Sequence, residues 1–107
     1  MESKAQCYKD LVDEYCSSRI HVENAEELIS VAKENIDKSF EKYAEIDNGD
    51  SMIKAWFDAY LQMNKSNIDI CTINRDYYRE RMERYGKLLI INYGEDLDKL
   101  YENYGVV

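Results

Sequence analysis

The sequence predicts an all-α fold, a small bundle of three to five helices with a long third helix. Three observations carry that expectation. The 107 residues include no proline and only four glycines, so few positions interrupt a helix. Apolar residues recur every three or four positions along most of the chain. Capping signals stand where those stripes begin. With no linker or low-complexity segment, residues 1–107 are expected to form a single helical domain.

The first helix opens at Ser3, where Ser3-Lys4-Ala5-Gln6 has the form of a capping box. Ala5, Tyr8, Leu11, Val12, Tyr15 and Cys16 make its apolar stripe, and its expected end is Ser17-Ser18-Arg19. A second helix is expected from Asn24, which can cap the amides ahead of Glu27. Its buried stripe reads Ala25, Leu28, Ile29, Ala32, Ile36, Phe40 and Tyr43, and Asp47-Asn48-Gly49 supplies the stop.

The third helix begins at Asp50 or Ser51. Ile53, Phe57, Leu61, Ile68, Cys71, Tyr78, Met82, Tyr85 and Leu89 form one stripe, interrupted by polar Asn64 and Arg75. One reading runs it unbroken over 51–92, on the order of 60 Å long. The other splits it at Ser66-Asn67-Ile68-Asp69, which resembles a further capping box. The unbroken helix is favoured, because no glycine or proline enforces a stop there. A short last helix is expected from Glu95 to Tyr104, after Asn92-Tyr93-Gly94 and ahead of Gly105.

Several chemistries are disfavoured by what is missing. His21, the only imidazole, falls in an expected interhelical turn, where it is read as a half-exposed loop residue and not as half of a Cys–His pair. Cys7, Cys16 and Cys71 have no paired spacing, and the first two would stand roughly 13 Å apart along a helix, too far for a disulfide. Reduced thiols in a reducing cytosol are expected, with no zinc site. Placing Gly49 at the sixth position of a calcium loop puts Ala44 and Ala55 at the first and twelfth, where neither can ligate. No phosphate-binding or dinucleotide fingerprint is present. The longest apolar run, Leu88-Leu89-Ile90-Ile91, is far too short to span a bilayer. The expectation is a cytoplasmic protein that is not an enzyme and has no catalytic, cofactor-binding or metal-binding residues.

Charge points instead to contact with another macromolecule. Residues 1–50 carry 13 acidic and six basic groups, a net of −7 out of −8 for the whole chain. Glu27, Glu34 and Glu41 recur at seven-residue spacing opposite the second apolar stripe, and Asp37, Glu45 and Asp47 extend that surface. A solvated face explains such a row, but Asp37/Glu41 and Glu41/Glu45 repeat like charge one turn apart, which a purely structural surface tends to avoid. These six residues are the candidate partner-binding set. Residues 75–87 are the local exception, with five basic and three acidic groups among three tyrosines. Arg75, Tyr77, Arg79 and Arg81 there, with Tyr93, Tyr101 and Tyr104, form a secondary candidate set. The plain alternative for 75–87 is a helix laced by Asp76–Arg79 and Glu80–Arg84 pairs. Trp56 is expected in the core.

The preferred reading is an acidic, non-enzymatic interaction module that binds a basic protein or a ribonucleoprotein. In a concrete version it is an inhibitor that occupies a basic nucleic-acid-binding groove. The analogy in size, charge and composition is with small phage-encoded anti-defence proteins, and the abundance of residues with AT-rich codons suits a low-GC bacterium, a phage or a mobile element. Direct nucleic-acid binding is disfavoured by the negative field. A homodimer is a further expectation. The second reading is a self-assembling or secretion-associated helical hairpin. The chain resembles the small Trp-x-Gly export proteins in length, but reads Trp56-Phe57-Asp58 after the turn. The third is an RNA- or single-strand-binding factor acting through 75–87.

Overall fold

A computed structural model describes residues 4–45 and 51–105 and places them in three α-helices: α1 (Lys4–Glu45), α2 (Ser51–Tyr93) and α3 (Leu97–Asn103). The fold is all-α, and its first two helices are long. Contacts divide the chain into two compact units that share α1 and α2, one holding Met1–Glu23 and Arg75–Val107, the other Asn24–Asn74.

The first two expected helices are one. α1 passes through Ser17-Ser18-Arg19 and Asn24 without a break. Serine and asparagine lower helix propensity by well under ~1 kcal/mol each, too little to end a helix that is gaining buried surface. Tyr15, Ser18, Val22, Ala25, Ile29, Ala32, Ile36, Ser39 and Tyr43 alternate by three and four without a slip, and all are buried or half-buried. That continuous heptad phase outweighs the local capping signals. His21 therefore stands inside a helix, exposed, with its ring stacked on Tyr78 at 4.2 Å.

α2 runs unbroken, so the Ser66 capping box is not used. Its inward positions Phe57, Leu61, Asn64, Ile68, Cys71, Arg75, Tyr78, Met82, Tyr85 and Leu89 also alternate by four and three. Asn64, read as an interruption, is a buried member of this row at 3% exposure. Its Nδ2 donates to the Tyr60 carbonyl at 2.9 Å, which satisfies the amide inside an apolar seam.

In the Asn24–Asn74 unit the two helices pack antiparallel. Phe57 meets Tyr43 in a stack at 4.4 Å and Phe40 edge-on at 5.2 Å. Ala25, Ile29 and Ala32 are buried on α1, and the Ser39 hydroxyl donates to the Asn35 carbonyl. Three large residues expected inside are exposed: Leu28, Phe40 and Trp56. Each is one residue away from an inward position (Ile29, Ser39 and Phe57), and a rotation of about 100° per residue allows only one of each pair to face the seam.

In the other unit Tyr15, Cys16 and Leu89 form the core, joined by Leu11, Met82, Leu97 and Leu100. Fully burying such an apolar side chain contributes about 1.5–3 kcal/mol. α3 returns onto this core after Gly94, whose φ of 63° reverses the chain. The Gly94 amide donates to the Ile90 carbonyl at 2.9 Å, the αL form of helix stop. Asp96 then caps α3, its side chain accepting from the Lys99 amide at 3.3 Å. Gly86 lies under α3: a Cβ there would stand 3.0 Å from Leu97 and 3.1 Å from the buried Tyr15 ring. Gly94→Ala should lower stability by about 1 kcal/mol through its left-handed backbone alone, since no atom lies within 4 Å of the added Cβ. Urea denaturation measures this, and an unchanged midpoint would contradict it.

Candidate protein-interaction surface

The acidic row of α1 belongs to the Asn24–Asn74 unit. Glu27, Glu34, Asp37 and Glu41 are all exposed, and the inward heptad at Ala25, Ile29, Ala32, Ile36 and Ser39 turns their side of the helix away from α2. The Glu45 side chain and Asp47 lie outside the described residues. Seven residues separate successive members of the Glu27–Glu34–Glu41 row, about 10.5 Å of helix. Asp37 fills the gap between the last two at i+3 and i−4, which brings neighbouring Cβ atoms to about 5–6 Å. Counter-charges intrude: Lys38 Nζ sits 2.9 Å from Glu34, and exposed Lys33 and Lys42 lie one turn before Asp37 and next to Glu41. The Lys38–Glu34 hydrogen bond holds the Glu34 carboxyl below the usual carboxylate range and pushes the Lys38 ammonium up.

The secondary candidates belong to the other unit, and most take part in its internal structure. Arg81 Nη2 donates to Glu14 at 2.7 Å, and its Nη1 reaches the Tyr77 hydroxyl at 3.3 Å. The bond to Glu14 raises the Arg81 pKa further above its ordinary value. Arg75 pairs with its neighbour Asp76 at 3.2 Å. Arg79 is half-buried, and Tyr77 is exposed with its ring edge against Tyr78. Of the secondary candidates Tyr93, Tyr101 and Tyr104, the last two pack on the core, and Tyr93 stays exposed. Tyr93 meets Tyr8 edge-on at 5.0 Å. Tyr104 packs on the Tyr15–Cys16–Leu89 cluster. Tyr101 donates to Glu23 at 2.5 Å beneath the Arg19 guanidinium, which lies 4.2 Å from its ring centre.

Tyr8, Tyr101 and Tyr104 make the unit sensitive to alkali. Burial, followed by the bond to Glu23, pushes the Tyr101 hydroxyl up to about 12. The bond to Glu95 raises Tyr8, and burial raises Tyr104. In the unfolded chain tyrosine loses its proton near pH 10. Between about pH 10 and 12 the unfolded state therefore binds fewer protons than the folded one, and stability falls as pH rises. Their contribution is complete below pH 10. Denaturation midpoints across pH 8–12 should drop above pH 10, and less steeply for Tyr101→Phe. Equal slopes in the two proteins would remove Tyr101 as the cause.

Sequence reading missed a second row on α2. Trp56, Ala59, Met63, Ser66, Ile70 and Ile73 alternate by three and four outside the inward row, and all but the half-buried Ser66 are exposed. Trp56 is 65% exposed, Ile70 58% and Ile73 69%. The signal was present in the sequence as a mostly apolar row whose members precede the core positions by one and two residues in turn. Trp56 and Tyr60 stack in parallel at 5.4 Å, and both border a groove of about 420 Å³ with Lys38 and Lys42 at its edge. A second groove of about 300 Å³ lies between Leu28 and Val31 on α1 and Asn67 and Cys71 on α2.

Burial raises the Cys16 thiol, which keeps it protonated and inert. Among the described residues no group of three or more His, Cys, Asp or Glu side chains is placed to hold a metal ion, and no helix is long and apolar enough to cross a membrane. The chain matches no protein-family model, and no curated protein or solved structure is similar to it.

Proposed function

We propose that this protein is a non-enzymatic helical interaction module of the cytoplasm that binds a basic protein or ribonucleoprotein through the outer face of α1. The observation that supports this is the exposed row Glu27, Glu34, Asp37 and Glu41, in which Glu34, Asp37 and Glu41 repeat like charge at one-turn spacing, a repeat that costs helix stability where no partner uses it. Carboxylates at about 5–6 Å imitate a run of phosphates to a groove built for nucleic acid, and they steer a positive partner at long range. In its specific form the module is an inhibitor that denies such a groove to DNA or RNA. Its action requires no chemistry, only occupancy.

The alternative through residues 75–87 loses support, because Arg75 and Arg81 already face Asp76 and Glu14. The test is affinity capture with the tagged full chain from nuclease-treated lysate, eluted in a salt gradient. A nucleic-acid-handling protein released at moderate salt is expected. Retention of labelled RNA or DNA by the protein alone would favour residues 75–87, and recovery of nothing but the chain itself would overturn the proposal.

A further inference from the structure

We infer that the outward face of α2 between Trp56 and Ile73 is the interface for a second copy of this chain, arranged antiparallel about a two-fold axis between Asn64 and Lys65. The inference stands apart from the acidic face of α1, because it concerns a different helix and different physics.

The first observation is spacing. Trp56, Ala59, Met63, Ser66, Ile70 and Ile73 follow the four-three alternation of a coiled-coil seam, over about 26 Å of helix. α2 therefore carries two such seams. The inward one packs on α1, and the outward one presents exposed apolar side chains at five of its six positions, with the half-buried hydroxyl of Ser66 at the other. Scattered exposed apolar residues need no explanation, but five of them in heptad phase over nearly five turns are what a helix partner reads.

The second observation is self-complementarity. In an antiparallel pair each layer joins one position of the seam to the other position of the partner helix. With the axis between Asn64 and Lys65, Trp56 meets the partner's Ile73, Ala59 meets the partner's Ile70, and Met63 meets the partner's Ser66. Two-fold symmetry repeats the three layers in reverse order. The small residues Ala59 and Ser66 thus oppose Ile70 and Met63, so large fills small in four of the six layers. An unrelated partner places no such demand on the order of residues within one helix.

The third observation is charge. The positions bordering the seam are Ala55, Gln62 and Asp69 on one side and Tyr60, Asn67 and Asn74 on the other. A single charged residue borders the seam, in a chain with a net charge of −8. Two copies of the chain repel each other through the acidic first half, which carries −7 of the −8, and this face of α2 is nearly neutral. A basic partner would find nothing here to pair with. Area reaches the threshold as well: the exposed parts of Trp56, Met63, Ile70 and Ile73 amount to roughly 500 Å² per chain, so a pair that covers them fully buries on the order of 1,000 Å² before its flanks are counted, the lower bound for a specific contact.

Sedimentation equilibrium of the full chain from 1 to 100 µM tests this. A dimer of the 12.7 kDa chain is expected, with an association that varies little between 50 and 500 mM salt. Ile70→Glu with Ile73→Glu should give a monomer of unchanged helicity, since both residues are exposed. The register has its own test. Ala59→Ile alone and Ile70→Ala alone should each weaken the dimer by tenfold or more, and the two together in one chain should restore it, because the swap conserves the volume of the layer they share. A wild-type monomer at 100 µM, a dimer indifferent to the double Glu variant, or a swap no better than its parts would overturn the inference. None of these results bears on whether α1 binds a basic partner, which the capture experiment reads separately.

Discussion

A chain carrying Glu27→Lys, Glu34→Lys and Glu41→Lys should keep its fold and lose its basic partner. All three side chains are exposed on the side of α1 turned away from the seam, and lysine forms helix about as readily as glutamate. The far-UV spectrum and the denaturation midpoint should therefore hold. Each reversal adds two charges, so the net charge moves from −8 to −2, and the face meeting a positive groove becomes positive itself. Affinity should fall by roughly 100-fold or more, chiefly through slower association, and the salt dependence of binding should flatten. A matched control separates the face from bulk charge. Reversing the exposed Glu80, Glu83 and Glu102 gives the same net charge on other surfaces and should leave binding within about threefold. Equal losses in the two triple variants would mean that net charge alone drives association.

The largest effect on stability is expected at Leu89. Its side chain is fully buried against Tyr15 and Cys16, the centre of the core that α3 covers. Leu89→Ala removes apolar contact and leaves a cavity that the rigid Tyr15 ring and the short Cys16 side chain fill poorly, at about 3–4 kcal/mol. For a chain of this size that lowers the melting temperature by on the order of 10–20 °C. Ile91, two residues further along α2, is 77% exposed, and Ile91→Ala should change stability by less than about 0.5 kcal/mol. Thermal melts of the two variants measure the contrast. A Leu89→Ala protein that melts with the wild type would displace the core from where α1, α2 and α3 meet.

Much of this architecture was legible in the sequence, because helix periodicity is a local signal. The stripe from Phe57 to Leu89 gave α2 its length, and Gly94 marked the turn ahead of α3, whose cap at Asp96 went unread. The break at Ser17-Ser18-Arg19 was misread for a physical reason. Capping residues are permissive, and only packing decides whether a cap is used; the heptad through Ser18, Val22 and Ala25 buries enough to carry the helix past them. Trp56 and Phe40 were misplaced because a stripe read as merely apolar does not separate neighbours one position apart. The exposure of the acidic row followed directly from its phase against Ile29 and Ile36. What could not be read were the long-range polar contacts, Arg81 to Glu14, Tyr8 to Glu95 and Tyr101 to Glu23, which join residues 67 or more positions apart. Those contacts are what remove Arg81 and Tyr101 from the candidate surface.

The most direct measurement is competition. The captured complex, at a salt concentration where it is stable, is titrated with short duplex DNA and with RNA while the amount of bound protein is followed. If the acidic face of α1 occupies a nucleic-acid groove, the protein and one of these nucleic acids exclude each other, and the midpoint of displacement rises in proportion to the protein added. A stable ternary complex, with protein and nucleic acid bound together at saturation, would contradict occupancy of that groove.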